Sequence, residues 1–425
     1  MDLLDGYIHF KCFYNMLNLI IIDEDSRING IKTYIGEIIR IFKRLNARIY
    51  LINHFNETKE LFTAKEEEGI YTFSFSYCLQ ESYNKIVDKF LGLHIKDSDY
   101  NLFMLNYTPC EDLVLTLRNR FPKSKITFTV HDMSWTYHFL GDVEKFKAFC
   151  REMDYRHDTE KQKNLRKDFL EEQRMFRLVD KVIVLACETF KVLTEIYQID
   201  ACKLCYIPNG TEDLYQPIPE NEKADIRQNK HLDRQEKIIL FAGRGHYIKG
   251  LYALLRCLGK ILEVAPECRL VIVGSLINPV TTLRLAKAYS SKIVFTGQLS
   301  RDELLEWYKI ADVGLLTSYV EQCSYTGIEM MMHGIPVLAS DGFCVGNMFK
   351  DGENSKVAKI GKRSDPEKTE EFDNNLIESL LAILSSPDER EKLGKNGRKL
   401  YLSNYQFQQM QDGYERLVAL LFGKI

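Results

Sequence analysis

DVGLLTSYVEQCSYTGIEMMMHGIPVLAS, residues 312 to 340, contains a strand, a loop, a short helix and a second strand. The first run, DVGLLTS, is apolar and ends in hydroxyl-bearing residues, a pattern typical of a buried strand in a parallel sheet. The helix is expected to begin between Ser324 and Thr326 and to end at Gly334, because a proline follows two residues later. Such a strand–helix–strand unit is the building block of a doubly wound α/β sheet.

The same alternation of short apolar runs and helix-length segments extends from residue 17 to about residue 400. In the first half of the chain the runs are MLNLIIID (16–23), NARIYLIN (46–53), YNLFMLNY (100–107), KITFTVHD (125–132), DKVIVLAC (180–187) and CKLCYIPNG (202–210). A polar stretch with two prolines then precedes KIILFAG (237–243), RLVIVGS (269–275), KIVFTG (292–297), DVGLLTS (312–318) and IPVLAS (335–340). We therefore expect an α/β chain of two Rossmann-like domains, residues 1–215 and 237–402, joined by a linker at 216–236.

The bulk composition excludes several classes of protein. A chain of 425 residues with 28% charged residues and a net charge of -3 suits two globular domains and gives no electrostatic reason to bind nucleic acid. No apolar run is long enough to span a bilayer, and the acidic N-terminus lacks the apolar core of a signal peptide. The eleven scattered cysteines favour free thiols over a disulfide framework. We expect a cytoplasmic protein, and contact with the inner face of a membrane stays open.

Basic and hydroxyl-bearing residues follow two of the predicted strands. Arg244 and Lys249 come after KIILFAG on a glycine-flanked loop, where two cations suit a diphosphate. Two α/β sheets joined by a linker leave a cleft between the carboxyl ends of their strands. The predicted helix start at Ser324, Tyr325 and Thr326 directs its free N–H groups into this cleft. For the basic loop by itself, a solvated surface turn is an equally good interpretation.

Two glutamates lie eight residues apart around that helix start. The same interval separates several other glutamate pairs of the chain, such as Glu60/Glu68, Glu144/Glu152 and Glu212/Glu220, so spacing carries no weight. Glu329, in the first turns of the helix, can accept hydrogen bonds from the vicinal hydroxyls of a ribose, whereas Glu321 lies nearer to a group attached beyond the phosphates. The alternative is that Glu329 stabilises the helix start and Glu321 is a solvated loop residue. His131 ends a strand, where it can bond a sugar hydroxyl, although a lone strand-end histidine is more often structural.

Taken in order, these segments resemble the retaining GT-B glycosyltransferases of family four, which are kin to glycogen synthases and belong to the glycosyl transferases of group 1. The residues that carry the resemblance are Gly30, VHDMSW (130–135), IPNG (207–210), AGRGHYIKG (242–250), VIVGS (271–275), FTGQLSRDELLEWYKIADVGLLTS (295–318) and EQCSYTGIEMMMHGIPVLASDG (321–342). The resemblance implies a GT-B fold, in which two Rossmann-like domains face each other across a cleft. It also implies that a C-terminal helix, residues 403–425, crosses back to the N-terminal domain.

The resemblance further implies a role for each matching residue. Arg244 and Lys249 would grip the diphosphate of a nucleotide-sugar, Glu329 would hold its ribose, and Glu321 would hold the donor sugar. His131 would face that sugar at the reaction centre. The remaining implied donor contacts are Gly30, Gly274, Gln298, Leu299, Ser324, Tyr325 and Thr326.

The implied activity is transfer of a sugar to an acceptor hydroxyl with retention of configuration, in which the departing phosphate helps to deprotonate the acceptor. The acceptor would be a saccharide, a lipid-linked saccharide or a peptide. Neither a metal nor another cofactor is then required, and we interpret the DxD patterns Asp23-Glu24-Asp25 and Asp97-Ser98-Asp99 as fortuitous. Two alternatives stay open: a nucleotide-sugar epimerase of the same fold, and a catalytically silent partner of another glycosyltransferase.

The chain departs from the family pattern at two places. Asn29-Gly30, expected in the loop between the first strand and the first helix, stands where two glycines are usual in the family. This departure weakens the contact with the phosphates that the resemblance implies for Gly30. Gln322-Cys323-Ser324 stands where Gly-Phe-Gly is common after the first glutamate. The second departure predicts a different donor sugar or a different acceptor pocket.

Overall fold

The computed structural model describes residues 16–23, 29–56, 60–76, 83–106, 110–152, 158–363 and 370–423. These residues form two α/β domains, each built around its own sheet. Strand alternation with helices along the chain produces this architecture, because a parallel sheet needs helical crossovers that cover both of its faces.

The N-terminal domain is built on an eight-stranded sheet. Its strands are β1 (Asn18–Asp23), β2 (Arg48–Asn56), β3 (Phe62–Glu67), β4 (Ile70–Ser76), β5 (Asn101–Asn106), β6 (Lys125–Val130), β7 (Lys181–Val184) and β8 (Leu204–Tyr206). The spatial order is β3-β4-β2-β1-β5-β6-β7-β8, and every neighbouring pair is parallel except β3 and β4. The six strands predicted for this domain are confirmed. The β3–β4 hairpin is an addition at the sheet edge, where the exposed, charged β3 lacks the apolar run that marks a buried strand.

The C-terminal domain has a six-stranded sheet in which all neighbouring strands are parallel. Its strands are β9 (Lys237–Ala242), β10 (Cys268–Val273), β11 (Ile293–Gly297), β12 (Val313–Leu316), β13 (Val337–Ser340) and β14 (Ser355–Ala358), in the order β11-β10-β9-β12-β13-β14. The five predicted strands are confirmed. The edge strand β14 escaped prediction because it is four residues long and only half apolar.

Fifteen α-helices occur in the described part of the chain. In the first half they are α1 (Asn29–Arg44), α2 (Tyr83–His94), α3 (Glu111–Arg120), α4 (Ser134–His138), α5 (Val143–Arg151), α6 (Glu160–Leu178) and α7 (Cys187–Glu195). In the second half they are α8 (Glu220–Asn229), α9 (Leu251–Val264), α10 (Pro279–Ala286), α11 (Arg301–Ile310), α12 (Tyr325–Met332), α13 (Glu370–Ser385), α14 (Pro387–Asn404) and α15 (Phe407–Phe422). None of these helices combines the length and the apolar character needed to cross a bilayer.

The stretch expected to be a plain linker contains helix α8, which packs on the C-terminal domain. Its Arg227 donates to the Asp312 carboxylate at 3.0 Å and to the Ile310 carbonyl at 3.2 Å. The charges that indicated a solvated linker are in part the ion-pairing groups of this contact. Charge density alone does not distinguish a linker from a helix whose polar side chains are paired.

The last helix, α15, crosses back to the N-terminal domain as the resemblance implied. The Tyr414 and Tyr34 hydroxyls are hydrogen-bonded to each other in the buried interface with α1. Arg44 of α1 also donates to the Gln411 side chain at 2.8 Å. The polypeptide therefore passes between the two domains twice.

The two domains touch directly beside the cleft. Asn209, just after β8, donates from Nδ2 to the Cys323 carbonyl oxygen at 2.6 Å. The Thr189 hydroxyl of α7 donates to Gln322 Oε1 at 2.5 Å. Arg363 donates to the Gly141 carbonyl oxygen at 2.8 Å. These contacts hold the carboxyl ends of the two sheets against one another.

Candidate active site

A cavity of about 460 Å³ lies between the carboxyl ends of the two sheets. The loops after β9, β10, β11 and β12 form one wall, and the segments after β6, β7 and β8 form the other. All the site residues predicted from the sequence line this cavity: Gly30, His131, Arg244, Lys249, Gly274, Gln298, Leu299, Glu321, Ser324, Tyr325, Thr326 and Glu329.

The basic loop after β9 is shaped by a tight turn at Gly250. The φ of Gly250 is 77°, in the left-handed region, and a Cβ there would collide with the carbonyl oxygen of Thr317. The loop carries Arg244 and Lys249 into the cavity wall. The Arg244 side chain is half-buried and makes no ion pair with any residue that the structure describes. A half-buried guanidinium in that state is suited to bind an anion.

Lys249 and Glu321 form an ion pair in the wall of the cavity. Lys249 Nζ donates to Glu321 Oε1 at 2.6 Å, and the Ser318 hydroxyl donates to the same oxygen at 2.7 Å. Both donors converge on one carboxylate oxygen, and Oε2 makes no hydrogen bond to a described residue. Glu321 is therefore a held carboxylate with a free oxygen, not the solvated loop residue of the alternative interpretation.

The helix start predicted from the opening stretch is confirmed, because α12 begins at Tyr325 with Ser324 as its N-cap. The Ser324 hydroxyl oxygen accepts from the Gly327 N–H at 3.3 Å. The helix ends before Gly334, whose φ of 65° is left-handed. The first N–H groups of a helix have no partner within it, so the positive end of α12 faces the cavity beside Arg244.

Glu329 is hydrogen-bonded to a tyrosine of α11. The Tyr308 hydroxyl donates to Glu329 Oε2 at 2.7 Å. Burial raises the pKa of Glu329, and the Tyr308 hydrogen bond and the nearby Arg301 charge oppose that rise. Sequence reasoning missed Tyr308, because nothing in the run RDELLEWYKI distinguishes it from an ordinary core residue of an amphipathic helix.

His131 lies just past β6, facing the cavity from the N-terminal domain. Its ring packs edge-on against Tyr34 with centroids 4.6 Å apart, and its Nε2 lies 3.4 Å from Asn106 Oδ1. Burial lowers the pKa of His131 to about 3. At neutral pH the imidazole is therefore uncharged, and it is suited to hydrogen bonding but not to proton donation as an imidazolium.

The glycines and the β11 loop complete the site. Gly30 lies in the first turn of α1, so the expectation of a loop position between strand and helix was wrong by about one turn. Apart from its chain neighbours and the backbone of its own helix, no described atom lies within 4 Å of where its Cβ would be, and its backbone stays approachable from the cavity. Gly274, with φ of 125°, allows β10 to pass so close to Gly243 that a Cβ would collide with the Gly243 carbonyl oxygen. Gln298 and Leu299 follow β11 on the same wall.

Three cavity residues carry buried polar atoms without a partner among the described residues. The atoms are Asn209 Oδ1, Gln322 Nε2 and the Tyr325 hydroxyl. Buried polar atoms are normally satisfied, so unsatisfied ones around a cavity indicate that a ligand or water completes them. The sequence offered a partial signal for Asn209, which belongs to the IPNG segment, but its contact with Cys323 depends on how the domains meet.

Asp97 and Asp99 of the second DxD pattern are not among the residues that line the cavity. Glu24 and Asp25 of the first lie outside the described residues. In the second, Asp97 accepts from the Lys123 N–H at 3.2 Å and from the Ser124 hydroxyl at 3.0 Å, and so joins two loops. Within the described ranges, no cluster of three or more histidine, cysteine or acidic side chains is arranged to hold a metal ion.

A buried carboxyl group supports the segment that carries His131. Glu172 of α6 accepts from the Ser134 N–H at 2.8 Å and from the Tyr197 hydroxyl, and burial raises its pKa to about 7. Because the folded protein holds this proton more tightly than the unfolded chain, the free energy of unfolding should fall as the pH rises from about 4.5 to about 7.

We expect Glu172→Gln to remove this dependence and to be the more stable protein at pH 8. The difference in the free energy of unfolding between this variant and wild type should change by on the order of 3 kcal/mol between pH 5 and 8, as measured by urea unfolding. Glu171→Gln is the control, since Glu171 makes no hydrogen bond to a described residue. A constant difference across this pH range would contradict the prediction.

Comparison with known proteins agrees with this geometry. Residues 222–400 match the family model described as glycosyl transferases group 1. An uncharacterized glycosyltransferase from Methanocaldococcus jannaschii is 36% identical over 121 residues, which are 28% of this chain and 31% of that protein. The chain spans less than half the length of the first curated relatives that it matches, namely 31%, 49% and 46%.

Solved structures are similar over nearly the whole chain. Sucrose-phosphate synthase from Thermosynechococcus elongatus has a TM-score of 0.74 at 21% identity, covering 96% of this chain and 100% of that one. The Anabaena protein HepE, solved in complex with UDP-glucose, has a TM-score of 0.66 at 14% identity, covering 95% of this chain and 100% of that one. At these identities the likeness shows the fold. Residues 222–400 are thus a domain of the glycosyl transferases group 1 family, in a chain that has the GT-B fold.

Proposed function

We propose that this protein is a retaining glycosyltransferase that moves a sugar from a nucleotide diphosphate-sugar to an acceptor hydroxyl without a metal ion. The observation that carries the proposal is one wall of the cavity, which is lined by Arg244, by the N-terminus of α12 and by Glu329. Arg244 makes no ion pair with a described residue. A guanidinium and a helix N-terminus suit two phosphates, and a carboxylate beyond them suits the two hydroxyls of a ribose.

The same groups supply the catalysis in this proposal. When the bond between the sugar and the diphosphate breaks, negative charge grows on the leaving oxygen. Arg244 and the free N–H groups at Tyr325 and Thr326 stabilise that charge, and Lys249 can turn from Glu321 towards it. The leaving phosphate then takes the proton of the acceptor hydroxyl on the same face of the sugar, which retains the configuration.

The donor sugar is expected to lie between Glu321 and His131. Glu321 Oε2 accepts from a sugar hydroxyl, and the neutral His131 bonds another. The buried Gln322 Nε2 and Asn209 Oδ1 are candidates to satisfy further hydroxyls, directly or through water. Gln322 replaces the small residue common in the family, so these contacts would set the choice of donor sugar.

The Anabaena protein of similar fold binds UDP-glucose, which supports testing uridine nucleotides first. The acceptor is proposed to be a saccharide, a lipid-linked saccharide or a peptide, and polysaccharide biosynthesis is a proposed setting. We also propose a cytoplasmic site of action, with peripheral contact at the inner face of the membrane. The free thiols of the described cysteines fit a reducing compartment.

A nucleotide panel tests the proposal most directly. We expect at least one nucleoside diphosphate to raise the melting temperature of the purified protein, and its sugar conjugate to be consumed in the presence of EDTA. Conversion of the donor alone into an epimer would favour the epimerase alternative. Absence of stabilisation by every nucleoside diphosphate would favour the silent partner.

Tyr308→Phe should weaken the proposed ribose contact without removing it. The hydroxyl holds Glu329 Oε2, so its loss frees the carboxylate to rotate and raises the pKa of Glu329 further. We expect the Kd of the nucleoside diphosphate to rise about tenfold and to rise more as the pH falls from about 7 to about 5.

The specific readout for Tyr308 is the preference for ribose over 2′,3′-dideoxyribose in the bound nucleotide. This preference should shrink in Tyr308→Phe and stay as in wild type in Tyr252→Phe. Tyr252 is a buried tyrosine of the same domain that makes no hydrogen bond to a described residue. An unchanged preference in Tyr308→Phe would remove Glu329 from the ribose site.

A further inference from the structure

An exposed aromatic ring lies on the N-terminal wall of the cavity, which faces Arg244, Glu329 and the start of α12. Tyr137, on the short helix α4, lines the cavity from the N-terminal domain and is 40% exposed. Its neighbour Trp135, on the same helix, is fully buried and stacks on Phe146 with centroids 4.7 Å apart. The helix is therefore anchored by one aromatic residue and presents another at the mouth of the cavity.

The Tyr137 side chain interacts with the preceding loop. Its partner there is the carboxyl group of Asp132, which also lines the cavity. Asp132 Oδ1 additionally accepts from the Met133 N–H at 2.8 Å and from the Thr136 hydroxyl at 2.5 Å. The Asp132 carboxyl group is therefore ordered before a ligand arrives, so little further ordering of it is needed on binding.

The position of these two residues indicates the second substrate. In the proposed function, Arg244, Glu329 and the start of α12 on the C-terminal wall bind the nucleotide-sugar donor. A group that receives the sugar must approach from the facing wall, which Tyr137 and Asp132 help to form.

The chemistry of the pair selects among the acceptor classes. The negative face of an aromatic ring attracts the weakly positive C–H groups of a sugar ring laid flat on it. A carboxylate accepts hydrogen bonds from hydroxyls and repels a phosphate or another carboxylate. Burial raises the pKa of Asp132, and the hydrogen bonds from Thr136 and Met133 and the Lys249 charge oppose that rise.

We propose that Tyr137 and Asp132 form an acceptor subsite for an uncharged pyranose ring. The ring would be the terminal sugar of a free or a lipid-linked saccharide, and not a peptide or a phosphorylated polyol. This assignment rests on the proposed glycosyltransferase function and narrows its acceptor.

The test uses the full chain and the donor identified by the nucleotide panel. Candidate acceptors are methyl glucoside, octyl glucoside, glucose 6-phosphate and a serine-containing peptide. We expect transfer to the two glucosides. A preference for methyl glucoside would indicate a free saccharide as the acceptor, and a preference for octyl glucoside would indicate a lipid-linked one. In Tyr137→Leu the KM for the glucoside should rise about tenfold and the KM for the donor less than about twofold. Tyr137→Phe, which keeps the ring, should lie between wild type and the leucine variant.

Tyr100→Leu is the matched control, because Tyr100 is 36% exposed in the same domain but precedes β5, at the amino ends of the strands. Its acceptor KM should equal that of wild type. An unchanged acceptor KM in Tyr137→Leu, or a best acceptor that is the peptide or the phosphorylated sugar, would overturn the subsite and leave the glycosyltransferase function standing. Failure of the wild-type protein to bind any nucleoside diphosphate would overturn both.

Discussion

Arg244→Ala is expected to lower kcat for sugar transfer by about 100- to 1,000-fold. The guanidinium is half-buried, lines the cavity beside the positive end of α12 and makes no ion pair with a described residue. In the proposed mechanism its charge is used most when the diphosphate leaves, so the transition state loses more than the bound donor does. Steady-state kinetics with saturating donor measures this loss directly.

Two companion variants separate charge from shape at this position. Arg244→Lys keeps the charge but not the paired N–H groups, and should recover part of the activity. Arg284→Ala removes an arginine that is exposed on α10 and unpaired among the described residues, and should behave as wild type. Near-normal turnover in Arg244→Ala would eliminate the proposed phosphate contact.

Glu321→Gln should reduce kcat by about 100-fold with little change in the affinity for the nucleoside diphosphate. The amide has the same size, but it removes the negative charge beside the donor sugar. It also weakens the interaction with Lys249, whose Nζ donates to Glu321 Oε1 at 2.6 Å in the wild-type protein. A lysine released in this way stays available to the phosphates, so nucleotide binding has no reason to weaken.

The split between catalysis and binding is the informative result for Glu321. Isothermal titration calorimetry with the nucleoside diphosphate measures the affinity, and single-turnover transfer measures the rate of the catalytic step. Glu353→Gln, at an exposed turn of the same domain, serves as the control for loss of a carboxylate. Parallel losses in kcat and in nucleotide affinity would assign Glu321 to the folding of the basic loop instead of to the sugar.

Most of the strand positions were predictable, because a strand buried on both faces needs a continuous apolar run. The same reasoning failed where burial is partial. Strands β3 and β14 lie at sheet edges, and their mixed sequences resemble loops. Helix α8 was interpreted as linker because its charges are paired with residues far along the chain, such as Arg227 with Asp312.

The candidate site followed a similar division. Arg244, Lys249 and the start of α12 were predictable because each lies directly after a recognisable strand, and strand ends in a parallel sheet share one edge. Tyr308 and Tyr137 were not, because their roles depend on contacts with Glu329 and Asp132 that the helix pattern does not reveal.

The sequence by itself determined the two α/β domains, the strand ends that face the cleft and a helix start between Ser324 and Thr326, since these depend on local apolar periodicity and capping chemistry. The tertiary structure decided the pairing of Lys249 with Glu321 and the reach of Gln322 across the cleft to Thr189. It also decided which buried polar atoms have no partner among the described residues. Such contacts join residues from different elements, and their distances follow from how whole sheets and helices pack, which no short stretch of sequence specifies.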